Sequence, residues 1–143
     1  MRLTPSSVLA ISFIVVAVPA QAADAPDLTG TWKGTAEQAV MVGDTPYRTA
    51  DPARKVTFAE EPIDFTFVVG EQRGARFGGE MSGRGKSETF IGTFHADGKT
   101  GVMLDDDGRY DFTLRDANTI DLCYDHTKPD SKVIACWTIT RQP

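Results

Sequence analysis

Gly83-Arg84-Gly85-Lys86-Ser87 has the residue types that end a phosphate-binding loop, where backbone N–H groups and a lysine hold an anion. The spacing rules that chemistry out. Such a loop needs glycine where this chain has Glu80, Gly79 stands one residue too early, and no strand-to-helix pattern surrounds the segment. A solvated, glycine-rich turn is expected instead. Asp105-Asp106-Asp107-Gly108 offers carboxylates to a calcium ion, but an EF-hand loop alternates its ligands and ends on a glutamate, and this run does neither. His95 and His126 are the only histidines, the first near Asp97 and the second near Asp125 and Asp130. Two ligands of this kind do not define a metal site, so neither a metal nor a cofactor is expected. No nucleophile sits in a recognisable elbow or beside a histidine, and the carboxylates fall in turns where their pKa values should stay ordinary. No catalytic residue is assigned.

The remaining reactive pair is Cys123 and Cys136. An antiparallel hairpin that sets them opposite each other also sets Leu122 against Trp137, Ile120 against Ile139 and Tyr124 against Ala135. Those apolar residues then share one face and the cysteines the other, so a single register satisfies both the strand period and a disulfide.

A bridge needs an oxidising compartment, and the N-terminus supplies the address. Arg2 precedes an apolar run from Val8 to Val18, followed by Pro19-Ala20-Gln21-Ala22, the pattern of a signal peptide cleaved before Ala23. The run is too short to anchor a helix in a bilayer. Residues 1–22 are therefore expected to be a signal peptide, residues 23–28 a short tail and residues 29–143 one domain, periplasmic or secreted and without a membrane anchor. Removing Arg2 leaves 14 basic against 20 acidic residues, a formal charge of about −6, which makes nucleic acid a poor partner.

The domain should be all-β. Apolar residues recur in steps of two at Phe65, Phe67 and Val69, at Val102 and Leu104, at Tyr110, Phe112 and Leu114, and at Ile120 and Leu122. Asp97-Gly98 and Asp107-Gly108 lie between such runs and are hairpin dipeptides. Further strands around Trp32, Val56, Phe67, Phe77, Phe90 and Val133–Thr140 bring the number to eight or nine, enough to close an antiparallel up-and-down barrel. A β-sandwich is the competing architecture, but it needs longer crossing connections. Val42 to Arg54 breaks the rhythm with Gly43, Asp44, Pro46, Asp51 and Pro52 and is expected to be a long loop at one barrel mouth, either a lid or a plain excursion. Glu60-Glu61-Pro62 marks another break.

Leu28-Thr29-Gly30-Thr31-Trp32 resembles the first strand of the calycin superfamily, the lipocalin and avidin group, whose G-x-W triplet is completed by a basic residue on the last strand. Arg141 matches that residue. The resemblance covers two short ends of the chain and implies a structural role for both side chains, with Trp32 closing the barrel floor and Arg141 stacked on it. Where avidins carry the asparagine and serine that bind biotin, this chain has Gly34 and Gln38, so the likeness does not extend to biotin.

By fold analogy the expected function is binding of a small apolar or aromatic molecule in or at the mouth of the barrel. Candidate ligand contacts are Tyr47, Phe65, Phe67, Phe77, Tyr110 and Phe112, the aromatic residues expected to face inward or cover the mouth. Two alternatives stay open: a protein-interaction module, such as the lipocalin-like bacterial protease inhibitors, and a small barrel isomerase or cyclase. The inhibitors act through an N-terminal tail, and here Ala23 to Asp27 is short and carries Asp24 and Asp27.

Overall fold

A computed structural model describes residues 25–143; the expected signal peptide lies outside them. Ten strands follow in chain order: β1 (Gly30–Ala36), β2 (Ala39–Val42), β3 (Thr57–Ala59), β4 (Ile63–Arg73), β5 (Arg76–Gly83), β6 (Lys86–Phe94), β7 (Thr100–Leu104), β8 (Arg109–Asp116), β9 (Thr119–Thr127) and β10 (Lys132–Arg141). They make one antiparallel sheet in the order β1-β4-β5-β6-β7-β8-β9-β10-β2-β3, and a β1–β10 pairing closes it. The closed barrel has eight staves, because two of them are broken into segments.

β1 and β2 form the first stave, kinked at Glu37-Gln38, and β3 and β4 form the second, interrupted at Glu60-Glu61-Pro62. Below the kinks β1 lies between β4 and β10; above them β2 lies between β10 and β3. The seam pairs Trp32 with Arg141 and Lys33 with Thr140, then resumes one residue out of step with Val40 opposite Ile134. Gly34 sits at that junction, where an added Cβ would stand 2.1 Å from the Thr138 carbonyl oxygen. No side chain fits there without moving the seam.

Tight turns join the other staves. Arg84-Gly85 connects β5 to β6 with both residues at positive φ, 47° and 75°, the mirror-image turn that suits the twist of a two-residue hairpin. β9 and β10 pair in the register that the alternation implies, with Cys123 opposite Cys136, Leu122 opposite Trp137 and Ile120 opposite Ile139. The two sulfurs are bonded on the outer face of that hairpin, while the flanking apolar residues point inward.

The interior is mostly rings, and glycines on the neighbouring strand make room for them. Phe77 lies opposite Gly92 and Phe112 opposite Gly101, and a Cβ on either glycine would come within 2.5 Å of the facing ring. Phe77 then meets Phe90, Phe94 and Phe112 at centroid distances of 5.2 to 6.4 Å, counting the Phe94–Phe112 contact, mostly edge to face as the ring quadrupoles prefer. Only about 20 Å³ of space remains in this half of the barrel.

Candidate functional site: a capped mouth

The barrel has two unlike ends. At the floor Trp32 is fully buried, its indole N–H donates to the Leu28 carbonyl at 2.9 Å, and the Arg141 guanidinium lies 4.3 Å from its ring centroid. Arg141 also donates to the carbonyls of Thr29, Asp27 and Ala117, at 2.5, 2.6 and 3.2 Å. Gln72 accepts from the Leu28 backbone N–H and donates to the Pro26 carbonyl, which fastens the tail across the opening. This end is sealed.

The opposite end is capped by the Gly43–Val56 loop, whose Thr45–Arg48 turn is closed by a 2.8 Å bond from the Thr45 N–H to the Arg48 carbonyl. Two side chains pin the turn down. The Tyr47 hydroxyl donates to Glu88 at 2.9 Å, and Arg48, only 7 % exposed, donates to the carbonyls of Ala36, at 2.8 Å, and Glu61. Burial lowers the Arg48 pKa, and nearby Arg84 adds to that, so backbone carbonyls rather than a buried carboxylate satisfy this cation.

Beneath the turn is a cavity of about 40 Å³. Tyr47, Phe65, Tyr110, Tyr124 and Trp137 supply its aromatic walls, Ala36, Ala39, Ile63, Val133 and Ala135 its aliphatic ones, and Arg48 and His126 its polar corners. Phe65 stacks on Trp137 with centroids 5.3 Å apart, and Tyr47 meets Phe65 edge-on at the same distance. The Trp137 N–H is buried and, among the described residues, has no hydrogen-bond partner.

Polar pairs ring the rim. Tyr110 donates to Asp105 at 3.0 Å, Tyr124 to Asp107 at 2.7 Å, and Lys128 to the other Asp107 oxygen at 2.8 Å. Glu88, Asp105 and Asp107 thus stand together, with one carboxylate oxygen of each within 4.8 Å of the others. Burial pushes Glu88 up, with further upward pressure from Asp105 and Asp107 and opposition from the Tyr47 hydrogen bond. Burial also pushes Asp107 up, but Lys128 and Tyr124 outweigh it and hold the group below its ordinary value. Burial and these acid neighbours raise the Tyr47, Tyr110 and Tyr124 hydroxyls, so all three remain phenols that donate. The Tyr124 hydroxyl also lies 3.1 Å from His126 Nδ1, and His126 Nε2 shares a hydrogen bond with the Ser131 hydroxyl at 3.2 Å. Most donors and acceptors of the rim are occupied by one another, but Glu88 Oε2 is buried and, among the described residues, has no hydrogen-bond partner.

Compared with known family models, curated proteins and solved structures, the chain matches none. Geometry carries the functional reading.

The six aromatic residues singled out in the sequence divide between the two halves of the barrel. Tyr47, Phe65 and Tyr110 line the cavity under the cap. Phe67, Phe77 and Phe112 lie in the packed lower half, around the smaller void. Sequence reasoning missed Arg48, Glu88, Tyr124, His126 and Trp137 as parts of the mouth. Nor did it bury either histidine, yet His126 is only 3 % exposed. The signal was there in the strand period: Ile120, Leu122, Tyr124 and His126 alternate onto the inner face of β9, as Glu88 and Phe90 do on β6. Nothing in the sequence marks Arg48. The expectation that every carboxylate keeps an ordinary pKa also fails: Glu88 and Asp107 face inward at the rim, and Asp97, in an exposed turn, is held down to about 2 by hydrogen bonds from Thr100 and Lys99.

Proposed function

We propose that this is an exported, calycin-like barrel that takes up one small apolar or aromatic molecule at its mouth, under the Thr45–Arg48 turn. The unpartnered Trp137 N–H carries the proposal. A buried donor without an acceptor costs about 1–3 kcal/mol, and a ligand carbonyl, hydroxyl or sulfonate oxygen held against the aromatic wall would recover it. Ligand pockets usually run to about 300 Å³ or more, so uptake requires the Tyr47 turn to lift, releasing the single Tyr47–Glu88 bond and the Arg48 anchors. Export is supported by the bonded cysteine pair, which persists best in an oxidising compartment. A second reading, a protein-interaction module of the protease-inhibitor kind, is favoured by the near-complete filling of the lower barrel.

Titration with an anilinonaphthalene sulfonate dye, read by dye emission and by quenching of tryptophan fluorescence, tests the proposal. One saturable site per chain is expected. Trp137→Phe keeps the ring and removes the donor, which should weaken binding roughly fivefold, the equivalent of about 1 kcal/mol, and Tyr47→Ala should weaken it further. Absence of saturable binding to the folded protein would overturn the ligand reading and leave the interaction module.

A further inference from the structure

The rim holds more negative charge than the fold uses. Glu88, Asp105 and Asp107 converge there, and among the described residues the only lysine or arginine paired with any of them is Lys128, on Asp107. Neither Glu88 nor Asp105 has an ion-pair partner among those residues, and the buried Glu88 Oε2 lacks even a hydrogen bond. Like charges placed this closely oppose one another, and a partly buried carboxylate without a counter-ion is unfavourable.

Five aromatic rings run from one of these carboxylates to the other two. Tyr47 meets Phe65 at 5.3 Å, Phe65 meets Trp137 at 5.3 Å, Trp137 meets Tyr110 at 6.1 Å and Tyr110 meets Tyr124 at 4.7 Å. The interplanar angles along that run are 74°, 27°, 75° and 44°, so the rings turn about a space instead of stacking in a column. The run ends where it began. Tyr47 at one end donates to Glu88, and Tyr110 and Tyr124 at the other donate to Asp105 and Asp107. All five rings line the cavity under the Thr45–Arg48 turn, which makes it an aromatic cage with acids behind three of its walls. Ring faces carry the negative part of the quadrupole and attract cations, the more so out of water.

We infer that the molecule taken up at the mouth is an organic amine, bound as its ammonium ion against the tyrosine faces and Glu88. The inference rests on the ligand reading above and names its chemical class. Calcium suits the site less well, since it takes about six to eight oxygen ligands. Both Asp107 oxygens are already engaged by Tyr124 and Lys128, and both Asp105 oxygens by Tyr110 and by the Asp107 and Gly108 N–H groups. Arg48, the cation in the same lining, spends its guanidinium on the carbonyls of Ala36 and Glu61, so the tyrosine side is the negative pole of the mouth. Entry and charge are coupled. Lifting the Tyr47 turn takes from Glu88 its one side-chain hydrogen bond among the described residues, and the incoming ammonium replaces that donor.

The test compares three probes of nearly one shape on the purified, oxidised protein at neutral pH: 2-phenylethylammonium, 2-phenylethanol and phenylacetate. Each is titrated against tryptophan emission and by displacement of the anilinonaphthalene sulfonate dye. The ammonium should bind at least tenfold or so more tightly than the alcohol, and phenylacetate most weakly. Glu88→Gln should cut the ammonium-to-alcohol ratio to about threefold or less, and Asp105→Asn should lower it as well. Because the ratio is read within one variant, a small change in the fold does not mimic the effect. If the probes bind alike, or phenylacetate binds best, while the dye still saturates one site, the amine inference fails and the ligand reading stands. If neither the dye nor any probe binds, both fail. A melting temperature that rises with calcium, with ammonium and alcohol bound alike, assigns the carboxylates to a metal and also overturns the inference.

Discussion

Arg141 works through three carbonyls and a ring face, with no carboxylate involved. Its planar fork suits that set, and lysine could reach one partner at a time. Arg141→Ala should therefore cost about 1–3 kcal/mol, seen as a fall of several degrees in melting temperature, with little recovery in Arg141→Lys. Glu88 makes an opposite case. Its carboxyl holds its proton more tightly in the folded protein than in the unfolded chain, so its contribution to stability is full below the ordinary glutamate pKa of 4.5 and is lost as pH rises through the raised folded value. Glu88→Gln keeps an acceptor for Tyr47 and removes the charge. The variant should melt above the parent at neutral pH and converge with it as pH drops toward 4, which thermal melts across that range would show. If the gain were the same at every pH, Glu88 would not be carrying a strained charge. The two roles were not equally legible: the Trp32 and Arg141 pair could be read from position at the two ends, whereas the environment of Glu88 depends on the Tyr47 loop and the Asp105–Asp107 turn reaching the same rim.

Among the elements, the β9–β10 hairpin was the most legible, because an apolar face and a cysteine pair independently demand one register. Its bond spans a sequence separation of 13, for which loop entropy gives about 3 kcal/mol of stabilisation. Reduction should lower the melting temperature clearly, and alkylation without reductant should add no label to the denatured chain. The kinked staves were not legible. Glu60-Glu61-Pro62 showed as a break, but its consequence, a segment β3 that leaves the barrel wall to follow β2, depends on the mate strand kinking at Glu37-Gln38 in the same place. Alternation says which side a residue faces; it does not say where a neighbour turns away.

At the scale of the molecule, eight staves and a hairpin meander followed from strand spacing and turn dipeptides, and the structure has them. Filling was harder to foresee. Counting inward rings suggested either a guest or a packed interior, and the answer differs by half: below, glycines on adjoining strands let Phe77 and Phe112 close the space, while above, alanines beneath the pinned turn leave the cavity. Such volumes depend on pairs of positions far apart in the chain, which is why one-dimensional pattern could not supply them.

The seam also sets an order of events in folding. The other staves pair with a neighbour in sequence, all but the first two across a short connection, but Trp32 must find Arg141 across most of the chain. Local hairpins can zip early, whereas closing so large a ring carries its entropic cost before any contact rewards it. Until that moment the sheet is an open ribbon with two bare margins, β1 at one side and β10 at the other, and each is competent to join another ribbon. The disulfide already restrains β10 against β9, so the last margin is held straight while it waits. Crowded or slowly closing chains would be lost at this step, as domain-swapped or aggregated sheets, even though the finished barrel is tightly filled.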